Sequence, residues 1–162
     1  MARHFGRSSR NMVRIDINTS PHYPVNRKLL RQAALETLKK IGIKSFVQLS
    51  ISIVGDRKVK ELNRKFRGQD KTTNVLSFPL YGPEVDLESL PKLGKTVPLG
   101  DVIVSYPVAR MEAARDNMLV DHKIAHLVVH GVLHIVGFDH QDPVQTRQME
   151  RLEDEISELI GV

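Results

Sequence analysis

Alternation of apolar and polar residues is sharpest where Val47, Leu49, Ile51 and Ile53 are separated by Gln48, Ser50 and Ser52. Period two with one polar side predicts a half-buried strand. Val13, Ile15 and Ile17 alternate with Arg14, Asp16 and Asn18 and predict an earlier one. Between them the spacing turns helical. Leu30, Ala34, Leu38 and Ile41 recur at three or four residues, with Asn26 placed to cap the start and Gly42 the end. After the turn at Gly55-Asp56, Val59, Leu62 and Phe66 mark one side of a short helix. Thr73 to Leu80 and Asp101 to Ser105 read as a third and a fourth strand. The stretch between them, Tyr81 to Pro98, holds Pro83, Pro91 and Pro98 and shows no period. A loop of that length is functional or mobile.

Three further helices are expected. One has Pro107 in its first turn and reaches about Asn117. The next runs from about Leu119 to Val136. The last starts at the cap Asp142, with Pro143 at the first helical position and Gln145 three after the cap. Its Met149, Leu152, Ile156 and Leu159 form a stripe assigned to the core, and Glu150, Glu153, Asp154, Glu155 and Glu158 a solvated face. This mixed order, without internal repeats, predicts an α+β fold. About four strands in a small mixed sheet pack with about five helices, as one domain over residues 12–162. Residues 1–11 form a basic arm containing Arg3, Arg7 and Arg10 and no acid. A solvated terminus is the expected reading, ahead of a nucleic-acid arm or a presequence fragment.

Composition narrows the chemistry. The chain has 162 residues and no cysteine. Disulfides, thiolate zinc ribbons and a cysteine nucleophile are therefore out, and a reducing compartment fits. Lys plus Arg number 24 against 19 for Asp plus Glu, a formal charge of +5 that suits a polyanionic partner. Five Phe and three Tyr are scattered, with no Trp. No stacking platform is expected from them, so sequence-specific readout of a polyanionic partner is not expected; placement by shape, or through partner proteins, fits better. The most apolar stretch, Ile124 to Phe138, is interrupted by His126, His130 and His134 and cannot span a membrane. Residues 1–20 lack the apolar core of a secretory signal.

The histidines carry the strongest signal. On a helix, His130 and His134 lie about 40° apart and one turn apart in height, so both imidazoles can reach one ion. His140 would lie roughly 120° off that face if the helix continued. Gly137 resolves this, because glycine accepts the left-handed conformation that ends a helix and lets the chain fold back. The pattern HxxxHxxGxxH thus places two ligands on a helix, a glycine hinge, and a third ligand after it. Three neutral imidazoles suit one zinc ion with an open fourth position; nickel, copper or another divalent metal stays open. His126 lies about 12 Å along the axis from His134, so it is a neighbour of the site rather than a ligand. His122 is assigned to the surface. Asp139 is placed to orient a ligand histidine or to cap the turn.

Two families resemble this segment. The spacing is similar to the HExxHxxGxxH of the metzincin peptidases, but Gly131 stands where those peptidases carry their glutamate base. The fuller match is to the YbeY family of ribosome-maturation endoribonucleases, whose HGxLHxxGxDH is matched throughout, including Gly131, Leu133 and Asp139. A second block, Glu61 to Gly68 and then Asp70 to Pro79, resembles that family's other signature, with Asn74 where many members have Asp. Leu99 to Ser105 resembles the strand before its metal helices.

The resemblance implies a metalloprotease-like single domain with zinc held by His130, His134 and His140. It implies a metal-dependent, single-strand-specific endoribonuclease in 3′-end maturation of small-subunit ribosomal RNA and ribosome quality control. Arg67 falls on the family's functional arginine. Its planar fork of donors fits phosphate oxygens. Arg67 and Lys71 are the substrate-binding candidates, and Arg67 and the ligand His130 the catalytic ones. Expected partners are ribosomal RNA, the small ribosomal subunit, and ribosomal proteins or an assembly GTPase. The expected location is the bacterial cytoplasm, with an organellar form open. The alternatives are a metzincin-like zinc peptidase and a non-catalytic small-subunit assembly factor.

Overall fold

The strand Val47–Val54 buries every second residue, as its alternation requires, and Leu49, Ile51 and Ile53 are almost wholly out of solvent. In the computed structural model, which describes residues 13–43, 46–91 and 96–162, it is one of the two inner strands of the sheet. The elements are β1 (Val13–Asn18), α1 (Arg27–Lys40), β2 (Val47–Val54), α2 (Asp56–Arg67), β3 (Val75–Pro79), β4 (Val97–Ser105), α3 (Tyr106–Arg115), α4 (Val120–Ile135) and α5 (Pro143–Ile160). A short 3-10 turn covers Leu87–Ser89. The sheet order is β1-β2-β4-β3. β1, β2 and β4 run parallel, and β3 is an antiparallel edge strand. The result is one mixed four-stranded sheet with five helices, an α+β fold. The basic arm at residues 1–11 lies outside the described residues. No helix among the described residues is long and apolar enough to cross a membrane.

Capping follows the sequence closely. The Asn26 side chain accepts from the Leu29 N–H at 3.0 Å, and Asp142 accepts from Val144 and Gln145 at 2.8 and 2.9 Å. Two expectations are corrected. β4 begins at Val97 rather than Asp101. Val97 pairs with Val47 and Leu99 is buried, while Pro98 sits beside a register shift in the ladder. Proline and Gly100 hid that strand end. Leu159 is 58% exposed and Ile160 is buried in its place. Phe66, on the apolar side of α2, is 59% exposed and meets Phe78 of the edge strand ring to ring.

Helices α1, α4 and α5 share the main core, whereas α2 covers the opposite sheet face with Val59 against Leu76 and Ile103. The close approach of α4 to the sheet fixes the site. A Cβ on Gly131 would lie 2.6 Å from Val102 Cγ1 and 3.2 Å from Ser77 Oγ. With no side chain there, the Ser77 hydroxyl donates to the Gly131 carbonyl at 3.0 Å and ties α4 to the edge strand. Overpacking of this kind costs about 1–3 kcal/mol. Gly131→Ala is therefore expected to lower the unfolding free energy by that amount, read as a lower denaturant midpoint at unchanged slope; an unaltered midpoint would show the contact to be loose.

Candidate metal centre

α4 presents His130 and His134 one turn apart and then stops. Gly137 has φ +102°, in the left-handed region. Its N–H donates to the His134 carbonyl at 3.1 Å, and the Phe138 N–H donates to the Leu133 carbonyl at 3.0 Å. This pair of bonds is the Schellman closure, which satisfies two carbonyls at the helix end and reverses the chain. Phe138 packs against the main core and anchors the reversal. The loop from Tyr81 supports it from outside, since a Cβ on Gly137 would lie 2.6 Å from Pro83 Cβ. The Asp139 carboxylate accepts from the His140 N–H at 2.7 Å, the capping geometry among its two expected roles.

The three rings converge. Centroid separations are 4.6 Å for His130 and His134, 5.2 Å for His130 and His140, and 5.3 Å for His134 and His140. One ring nitrogen from each lies within 4.8 Å of the others, so the three could hold one metal ion. The Nε2 atoms of His130 and His134 face each other at 3.1 Å. Burial, then the His130 ring, holds the His134 pKa below its ordinary value, with His140 adding to the effect and Phe138 and Asp139 opposing it. The neutral imidazole this favours is the form that binds a metal.

Glu153 is the residue that the sequence did not disclose. The His130 Nδ1–H donates to the Glu153 carboxylate, which leaves Nε2 for the metal side. One turn on, Ser157 is hydrogen-bonded to His126 Nδ1 at 3.0 Å. Glu153 and Ser157 therefore form two rungs of α5 facing His130 and His126 of α4. Glu153 is not part of a solvated face: its side chain is 24% exposed. The signal was its spacing of four from both Met149 and Ser157, which are buried with Ile160. His122 is half-buried.

A cleft of about 810 Å³ opens over the histidines. Arg67, Thr73, Asn74, Val75, Ser77 and Asp139 line it together with His130 and His134. Arg67 ends α2, and its Nη2 donates to the Ser77 carbonyl at 3.1 Å. Lys71 is exposed and does not line the cleft. The Asn74 amide donates to the Glu112 carboxylate at 3.2 and 3.3 Å, a bond that an ionised Asp at this position could not make.

Two outcomes are expected. Glu153→Ala lowers metal affinity about 10- to 100-fold, the usual cost of losing such a partner, as read by chelator competition. The second concerns pH. His134 and His126 are both held below 6.5 by burial. On acidification the unfolded chain takes up protons first, so the metal-free fold loses stability as pH falls through and below about 6.5. Denaturant midpoints across that window will show the drop, and the His126→Phe chain will lose less.

The comparisons extend over this whole arrangement. The family model described as Endoribonuclease YbeY matches residues 16–161. The Endoribonuclease YbeY of Acinetobacter baumannii (strain ACICU) is 39% identical over 144 residues, 88% of this chain and 89% of that one. That of Rhodopseudomonas palustris (strain ATCC BAA-98 / CGA009) is 39% identical over 115 residues, 71% of this chain. The chain spans only 58% of that relative's length, and 66% of the one from strain BisB18. A solution structure of a Thermotoga maritima protein superposes with a TM-score of 0.61 at 27% identity, covering 92% of this chain and 89% of that one. Matched over nearly all of its length, with the histidine turn inside the match, this chain belongs to the Endoribonuclease YbeY family.

Proposed function

We propose that this chain is a metal-dependent endoribonuclease that cuts single-stranded RNA, with one zinc ion held by His130, His134 and His140. Its proposed task is 3′-end maturation of small-subunit ribosomal RNA and ribosome quality control in the bacterial cytoplasm. The small subunit is the partner, with ribosomal proteins or an assembly GTPase beside it. One observation carries the reading: in a chain of this family, Arg67 opens onto the same cleft as the converging imidazoles.

Three histidine donors suit zinc and leave a coordination position for water or a substrate oxygen. When bound, such an ion polarises a phosphoryl oxygen and brings the pKa of its water to about 7. The chain's own residues do the rest. Glu153 holds His130 in the tautomer that turns Nε2 toward the ion, and Asp139 holds the backbone that carries His140. The Ser77 carbonyl takes one Arg67 N–H, which fixes the guanidinium at the cleft wall and leaves its remaining donors for a phosphate. There they stabilise charge that grows on the phosphoryl oxygens. Lys71 stands outside the cleft lining, so its contact is with RNA that extends past the cleft.

The rival readings meet physical obstacles. A peptidase base at position 131 has no room, since even a Cβ would press on Val102. The outward edge of β3, where a peptide would add as a strand, has the Ser77 carbonyl taken by Arg67 and no N–H at Pro79. A purely structural zinc would usually have four protein ligands, and the described residues offer three.

The test is cleavage of precursor small-subunit RNA by zinc-loaded protein. Arg67→Ala is expected to lower kcat/KM about 100- to 1000-fold, the scale of a lost charge-stabilising donor, with metal content intact. His134→Ala is expected to lose metal and cleavage together. Hydrolysis of casein with RNA left whole would turn the reading to the peptidase. Cleavage unchanged in Arg67→Ala would remove the arginine from the chemistry.

A further inference from the structure

Among the aromatic residues scattered along the sequence, exposed Phe66 is paired in space with half-buried Phe78. Phe66 is 59% exposed and meets Phe78 edge-on, with ring centroids 5.4 Å apart. Cations flank both rings: Lys65 Nζ lies 5.2 Å from the Phe66 centroid and Arg67 Cζ 6.0 Å from that of Phe78. The pair adjoins the cleft. Phe78 stands between Ser77 and Pro79, which line the cleft on the other face of β3, and Arg67 belongs to both surroundings. The helix that carries Phe66 is strongly basic, with Arg57, Lys58, Lys60, Arg64, Lys65 and Arg67 against Asp56 and Glu61.

We infer that Phe66, backed by Phe78, is a stacking ledge for a base of single-stranded RNA just outside the cleft, and that Arg64 and Lys65 take the adjoining phosphates. The inference rests on the endoribonuclease reading. Core packing does not require a large aromatic ring left mostly in water at a sheet edge. Every base offers a π-face to such a ring, and the surrounding positive charge selects a polyanion over an apolar partner. A strand that passes Arg67 and turns around the edge of β3 reaches the Phe66 ring next. The ledge favours no particular base, because stacking without hydrogen-bond readout is tolerant of sequence.

The test uses zinc-loaded full-length protein and a single-stranded 2′-O-methyl oligonucleotide that carries 2-aminopurine, its intactness checked on a gel. Parent protein is expected to bind it and quench the 2-aminopurine. Phe66→Leu keeps an apolar contact to Phe78 but no π-face. It is expected to lower affinity roughly 5- to 150-fold, the range for one lost base stack, and to abolish the quench. Phe66→Tyr is expected to restore both, which a merely structural role would not require. Parental affinity or persistent quenching in Phe66→Leu would overturn the ledge. The all-ribose strand separates the two readings. If the parent binds and quenches but does not cut it, the nuclease reading falls and the ledge stands. If the parent cuts and Phe66→Leu binds equally well, the ledge alone falls.

Discussion

Two backbone hydrogen bonds close the end of α4, from Gly137 to His134 and from Phe138 to Leu133, and the place of His140 beside His130 and His134 follows from them. Without that closure His140 would continue around the helix and leave the face shared by His130 and His134. The closure needs glycine twice over. A φ of +102° is strained for a residue with a Cβ, and Pro83 occupies the space such an atom would take. The loop from Tyr81 is therefore part of the metal centre's support. Its proline stands against the hinge rather than over open solvent.

A second glycine sets the depth at which the site sits. Gly131 lets α4 lie directly on Val102 and the Ser77 hydroxyl, which brings His130 and His134 beside the edge strand. Ser77 also receives Arg67 on its outward carbonyl. One residue of β3 thus ties α4 to the sheet and holds Arg67 at the cleft. The same absence of a side chain at 131 that permits this packing removes the glutamate base of the metzincin pattern. A single steric constraint accounts for both the close packing and the absence of that base.

Much of this was legible before the structure. The histidine spacing with Gly137 foretold the convergence of His130, His134 and His140, because helix geometry and a left-handed stop are local properties of the chain. The strands with clean alternation and the helices with Asn26 and Asp142 caps were legible for the same reason. What stayed hidden depends on partners distant in sequence. Glu153 looks like one more acid on a solvated face until α5 is laid against α4. The start of β4 at Val97 is masked by Pro98 and Gly100, which only pairing with β2 overrides. Phe66 follows the apolar period of α2, yet its place beyond the sheet edge depends on where β3 ends.

Three imidazoles come together, close enough to share one cation, because the chain reverses at Gly137. X-ray absorption of the zinc-loaded protein measures this most directly. Three imidazole nitrogens at about 2.0–2.1 Å and one oxygen donor completing the shell are expected. A His140→Ala chain that gave the same spectrum, with no nitrogen lost, would contradict this expectation.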